Sequence, residues 1–205
     1  MNKQPKYKIC RRLGGAVFPQ CENPRFAAAH APKQRGGQKK GGRAASEYGT
    51  QLLDKQRVRF TYNLRERQFA RYVREAAEKK GISPAEYLFR ILESRLDNAV
   101  YRLGFAKSRA AARQMVSHGH ITVDGKKVTI PSFGVRPGNI IRIRDGSKNK
   151  TLFGDVAVRL KDYTAPTWLV LDEKKTEGKV KDMPVPDTAA GDIGNLTSVL
   201  EFYGR

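Results

Sequence analysis

Acidic residues are scarce in this chain. Twenty Asp and Glu stand against 40 Lys and Arg, which leaves a formal net charge of +20 over 205 residues. Such an excess repels itself unless a polyanion neutralises it. Each phosphate met by a Lys or Arg also releases condensed counterions, so the composition predicts salt-dependent nucleic-acid binding. Long apolar runs are missing too. No window approaches the roughly 20 apolar residues of a spanning helix, and the first residues hold no apolar signal core. Acidic membranes are thereby set aside as the polyanion, and a soluble, cytoplasmic protein is expected. Cysteine is limited to Cys10 and Cys21. Two are too few for a secreted disulfide framework, which agrees with a reducing compartment. The chain also lacks any Ser-His-Asp grouping, phosphate loop or paired carboxylate, so no catalytic centre, cofactor or small-molecule substrate is expected.

What is present is unevenly distributed charge. Residues 1–45 hold 11 basic groups and one acid, Glu22, half the net charge of the chain. Within them, Lys33 to Arg43 combines four glycines with five cations and nothing apolar. That composition cannot pack a core, so it reads as a basic, partly extended RNA-binding arm carrying Arg35, Lys39, Lys40 and Arg43. Residues 91–159 hold 13 basic and 5 acidic groups, whereas 160–205 hold 6 basic and 8 acidic ones. The positive field therefore ends before the chain does. The last segment reads as a structural closure or a protein-facing surface.

The apolar pattern changes period along the chain. Residues 46–90 are helical in spacing, with Leu64, Phe69, Tyr72, Val73, Ala76 and Ala77 near i, i+3, i+4 positions before Lys79-Lys80-Gly81. Ser83 as N-cap, Pro84 at N1 and Glu86 three residues on predict the next helix start. Tyr87, Leu88, Ile91, Leu92, Leu96, Ala99, Val100 and Leu103 then form one continuous stripe that Gly104 ends. Asp97 falls on its charged side. A short helix beginning near Ser108 is followed by alternating His120–Val123, the turn residues Asp124-Gly125 and the returning run Lys126–Ile130. A third strand follows over Ile140–Arg144.

The stretch from Arg102 to Lys127 collects cations on one exposed rim. Ser108 can cap the short helix, whose first amides and dipole suit a phosphate. Lys107 and Arg109 flank that end, Arg113 lies at i+4 from Arg109, and Lys126 and Lys127 extend the rim. His118 and His120 suit hydrogen bonds to phosphate or ribose, since no third metal ligand stands at useful spacing nearby. For each cation taken singly, a solvated surface explains it equally well; the cluster carries the argument.

Leu96–Ala106, Ser108-Arg109-Ala110 and Val116–Ile121 closely resemble the S-four RNA-binding module. Tyr48–Leu52, Lys55-Gln56, Arg59, Tyr62, Glu66–Phe69, Pro166–Leu169 and Val199–Tyr203 resemble the ribosomal branch of that module's bearers, the bacterial-type small-subunit S-four family. The resemblance implies an α+β fold: a mainly helical N-terminal domain plus a small module of two helices on a short, mainly antiparallel sheet. It divides the chain into an arm over 1–45, a helical domain over 46–95 completed by part of 160–205, the module over 96–159, and a closing segment over 160–205. It implies a primary binder of small-subunit ribosomal RNA that nucleates assembly on the 5′ domain and supports translational accuracy. Neighbouring proteins S-three and S-five and messenger RNA at its entrance are the further partners implied. The RNA surface carried over falls on Lys107, Ser108, Arg109, Arg113, Gln114, His118, His120 and Lys126, and in the helical part on Tyr48, Gln51, Lys55, Arg59 and Arg67. Tyr48, one turn from Leu52, suits packing as well as base stacking.

The sequence departs from the family at its start. Many members carry four cysteines there as a zinc site; here Cys10 and Cys21, even with His30, give three ligands where a structural zinc takes four. No zinc is expected. An RNA-modifying enzyme using the same module would need a catalytic domain for which this chain has no length. A free-standing RNA-binding regulator, the remaining alternative, would not need the Tyr48–Phe69 signature or the closing Phe202-Tyr203.

Overall fold

The computed structural model describes residues 5–14, 17–24, 46–148, 150–161, 163–172, 177–186 and 194–205. Arg35, Lys39, Lys40 and Arg43 lie outside them. In chain order the helices are α1 Lys6–Leu13, α2 Glu47–Thr61, α3 Glu66–Glu78, α4 Pro84–Glu93, α5 Leu96–Arg102, α6 Arg109–Ser117, α7 Val156–Leu160 and α8 Leu196–Tyr203. The strands are β1 Ile121–Val123, β2 Lys126–Lys127, β3 Ile140–Ile143, β4 Leu169–Leu171 and β5 Glu177–Val180. They form one antiparallel sheet in the order β2-β1-β3-β5-β4, so the chain has the expected α+β character. It separates into two compact units, Met1–Val73 with Ile193–Arg205, and Arg74–Asp192. The division falls inside α3.

In the first unit, Ser46 Oγ accepts the Gly49 amide and starts α2, and Asn195 Oδ1 does the same for α8 through Ser198. α8 packs on α2 with Val199 fully buried. Val58, Tyr62, Leu64 and Phe69 supply the rest of this apolar interior. α1 is fastened to α2 where the Arg57 guanidinium donates to the Leu13 carbonyl at 2.8 Å. The two cysteines, whose role stayed open and whose small number agreed with a reducing compartment, are paired: Cys10 and Cys21 form a disulfide between α1 and the 3₁₀ turn Pro19–Glu22, against that expectation. Their Cα atoms are 6.6 Å apart, inside the range a disulfide spans, and both residues are buried.

The second unit is built on the sheet. Leu96, Ala99, Val100 and Leu103 of α5 and Ala112, Met115 and Val116 of α6 are buried with Ile121, Ile141, Ile143 and Val180. Asp124 and Gly125 both take positive φ, 50° and 77°, which matches the twist of a two-residue hairpin. β2 is only two residues long, shorter than the expected Lys126–Ile130 run. Gly178 of β5 lies against Leu103, where an added Cβ would sit 2.3 Å from a leucine methyl. β4 and β5 belong to this sheet, so much of the segment read as a closure is part of the second unit.

Three sequence expectations are corrected here. The apolar stripe from Tyr87 to Leu103 is not one helix, because Arg95 is extended and bridges Gly134. The loop takes over the backbone pairing at that point: Leu96 N–H donates to Phe133 O, Asp97 N–H to Pro131 O and Val135 N–H to Ser94 O. Helical periodicity survives the break because both pieces bury the same side, so the pattern could not reveal it. Asp97 is not on a charged face either. It is buried and paired with Arg95, with N–O distances of 2.6 and 3.0 Å. At the start of α4, Pro84 stands at N1 but Ser83 makes no side-chain cap; Glu86 pairs instead with Arg90 at 2.7 Å.

Candidate nucleic-acid interface

In the second unit, two acids, Glu93 and Asp97, lie buried beneath a group of arginines. The break at Arg95 turns α5 so that Glu93, at the end of α4, meets three residues from later in the chain. Its carboxylate, 1% exposed, accepts from Asn98 at 2.9 Å and from Arg102 Nε and Nη2 at 2.9 and 3.0 Å. Arg109 joins from α6: its Nε donates to Asn98 Oδ1 at 2.7 Å and its Nη2 lies 3.9 Å from Glu93. The same guanidinium sits 4.6 Å above the Tyr101 ring. Arg113 approaches Asp97 at 3.9 Å while keeping a 29% exposed side chain. Burying a charge is tolerable only when it is paired and its hydrogen bonds are met, and here both acids are matched by guanidinium groups. The acids fix the arginines in place. Their outer edges remain at the surface as a preorganised row.

Around that row stand exposed polar groups. Ser108 Oγ accepts the Ala111 amide at 3.2 Å and caps α6, as its position predicted. Lys107 reaches Asp155 at 2.5 Å, a pair so exposed that it holds the side chain only weakly. Gln114, His118, Lys126 and Lys127 are exposed, and His120 is half-buried. His120 Nδ1 lies 3.0 Å from Ser147 Oγ, and its ring meets the edge of Phe153. The structure thus brings Lys107, Ser108, Arg109, Arg113, Gln114, His118, His120, Lys126 and Lys127 onto one unit. It adds Arg102, Arg144 and Lys150, which the sequence reading did not select. Arg102 was hidden in a helical stripe, and Arg144 and Lys150 in a strand end and a turn.

The residues expected in the helical part behave differently. Gln51 and Lys55 are buried, turned toward α8. Gln51 Nε2 donates to Glu47 and Glu201 at 3.1 and 3.2 Å. Lys55 pairs with Glu66 at 2.7 Å and lies 4.7 Å over the Phe202 ring. Positions 51, 55 and 58 share one helical face, and Val58 takes that face into the core. Arg59 also reaches Glu66, at 3.2 Å, and is held by Gln56. Burial pushes the Glu66 carboxyl up, but hydrogen bonds from Lys55 and Tyr203 and the charges of Lys55 and Arg59 outweigh it and leave it below the usual carboxylate value. Tyr48 is half-exposed and rests on Phe202 with 5.5 Å between ring centres. Arg67 points to solvent. Among the described residues, no group of three or more His, Cys, Asp and Glu is placed to hold a metal, and no helix is long and apolar enough to cross a membrane.

Two family models divide most of the chain between them. Residues 1–93 match the ribosomal protein S4/S9 N-terminal domain and residues 94–141 match the S4 domain. The small ribosomal subunit protein uS4 of Fusobacterium nucleatum is 41% identical over 204 residues, covering 100% of this chain and 98% of the relative. This chain belongs to the uS4 family. Other uS4 proteins agree over almost their whole lengths. That of Chloroflexus aurantiacus is 40% identical over 203 residues, with 98% of this chain and 97% of the relative covered. That of Akkermansia muciniphila is 39% identical over 201 residues with the same coverage. The S4-domain match begins at the α4–α5 break and ends within β3. It contains the buried acids' partners on α5 and α6 and the Asp124-Gly125 hairpin.

Proposed function

We propose that this chain is a ribosomal-RNA-binding constituent of the small ribosomal subunit and catalyses no reaction. The observation that carries the reading is the separation of charge in the second unit. Glu93 and Asp97 are sequestered beneath Arg102, Arg109 and Arg113, so the surface presents cations whose positions are already fixed. Phosphate contacts of this kind position a protein on RNA without reading bases, so recognition comes from the fold of the RNA. Membership of the uS4 family, with end-to-end similarity to small-subunit proteins, supports the ribosome as the location and argues against a free-standing regulator. The RNA-facing set we assign is Lys107, Ser108, Arg109, Arg113, Gln114, His118, His120, Lys126 and Lys127, with Tyr48, Arg59 and Arg67 contributing from the first unit. The basic arm with Arg35, Lys39, Lys40 and Arg43 supplies further cations for RNA. Gln51 and Lys55 act by holding α8.

Finer roles follow the same reading. The chain binds the 5′ domain of the small-subunit RNA early in assembly, in the cytoplasm, beside proteins S-three and S-five and near the messenger entrance, and supports accurate decoding. The test is binding of the full chain to a 5′-domain transcript as salt is varied. Arg109→Ala with Arg113→Ala is expected to lower the slope of log affinity against log salt by about 1.5 to 2, one phosphate per arginine. A slope equal to wild type would remove both from the interface. Sedimentation separates constituent from factor. A constituent stays with the small subunit at salt that strips loosely bound factors.

A further inference from the structure

At the far end of α6, three cations and a second imidazole gather about one half-buried imidazole. His118 and His120 leave the helix with ring centres 6.0 Å apart. Gly119 between them has φ 69°, and the Lys127 side chain lies directly over it; an added Cβ would sit 2.2 Å from Lys127 Cε. The Arg144 amide donates to the His120 carbonyl at 2.9 Å, which sets the base of that side chain alongside the histidine. The 3₁₀ turn Asp145–Ser147 then folds back, so that Ser147 Oγ meets His120 Nδ1 at 3.0 Å. The Lys150 amide closes the turn by donating to Ser147 O at 3.0 Å. Phe153 covers one edge of the imidazole. Asp145, next to Arg144 in the chain, is engaged by Lys148 at 2.7 Å, with Arg142 also acting on it.

We propose that His118, His120, Lys127, Arg144 and Lys150 form a cradle for a backbone phosphate of RNA, distinct from the arginine row of α6, and that it makes RNA binding tighten as pH falls. The proposal rests on the RNA-binding reading above and adds a site to it. Like charges are held together here by the backbone, and the arrangement is relieved when an anion enters. Burial holds His120 below its ordinary value, and the charges of Lys150, His118, Arg144 and Lys127 lower it further. A phosphate among these groups reverses the sign of the field and favours the imidazolium, which then donates to it. Ser147 engages Nδ1, so Nε2 is the nitrogen that would meet the phosphate.

The experiment uses the full chain with histidine rings isotopically labelled, in phosphate-free buffer, with and without a 5′-domain transcript of small-subunit RNA, and separately with inorganic phosphate alone. In the RNA complex His120 is expected to titrate at least one pH unit above its value in the free chain. RNA affinity should fall several-fold from pH 6 to pH 8 in wild type and distinctly less in His120→Gln. Arg144→Gln with Lys150→Gln, whose thermal unfolding checks that the fold is kept, should lower the salt slope by about one unit or more. An unshifted His120 in the complex, or a shift with inorganic phosphate but none with RNA, overturns the cradle. So does an unchanged slope in the double variant. A chain that fails to bind the transcript at all overturns the RNA-binding reading itself, a result distinct from a chain that binds with His120 unmoved.

Discussion

Replacing Glu93 by Gln keeps shape and removes charge at the centre of the second unit. The carboxylate is 1% exposed and accepts from Asn98 and from both edges of the Arg102 guanidinium, with Arg109 3.9 Å away. Glu93→Gln leaves those guanidinium groups without their counter-charge, and places an amide N–H₂ where only acceptors are wanted. Breaking a buried pair from one side costs about 3–5 kcal/mol. For a unit of this size that corresponds to a fall in Tm of roughly 10–20 °C. Trp168 makes the assay specific. It is the single tryptophan of the chain and is buried in the second unit, so its fluorescence in urea reports that unit. A double-mutant cycle with Arg102→Gln should give a coupling energy of about 1–3 kcal/mol, whereas the same cycle on Lys107 and Asp155, both largely exposed, should give none above error. Loss of less than about 1 kcal/mol in Glu93→Gln would refute the claim that this acid anchors the arginine row.

Other perturbations follow from single contacts. Cys10→Ser, or reduction of the wild type, should destabilise the packing of α1 by about 3 kcal/mol, the chain-entropy value for so short a loop, and differential scanning calorimetry with and without reductant measures it. An unchanged thermogram on reduction would show that the bond adds nothing. Gly178→Ala should cost about 1–3 kcal/mol by overpacking against Leu103, read by Trp168 unfolding. Glu66 titrates below the free carboxylate value of 4.5 in the folded chain. Its contribution is therefore complete above the unfolded value and is lost as pH falls through the folded one. Glu66→Gln should flatten the acid limb of the stability curve below about pH 5, and an identical limb in the variant would count against the Lys55–Glu66–Tyr203 cluster.

Local rules carried much of the fold in the sequence. The Ser108 cap, the Asp124-Gly125 hairpin and the Gly104 stop each depend on residues within a few positions, and all are present. The α4–α5 break was invisible because its cause lies in the loop at Pro131–Val135, far along the chain, whose carbonyls and amides replace helical partners. β4 and β5 escaped for a similar reason: Glu177-Gly178-Lys179-Val180 has little strand character alone, and Gly178 is needed only because Leu103 leaves no room beside it. At the interface, charge told where cations are but not which are spent inside the protein. Lys55 and Arg67 look alike in sequence. One is folded against α8 and the other faces water.

The first unit draws its last helix from the end of the chain. Because α8 begins at Leu196, while α2 and the first half of α3 are finished by Val73, synthesis sets a delay between them. At translation rates of 5–20 residues per second the interval is on the order of ten seconds. Until then Gln51 has no Glu201 and Lys55 has no Phe202 beside it. The intervening unit comes from consecutive chain, so its sheet is complete once β5 has been made, before α8 appears. The first unit therefore cannot close on α8 until Leu196–Tyr203 has been made, and a chain stalled before Leu196 leaves the Gln51–Lys55–Val58 face of α2 uncovered for as long as it is held.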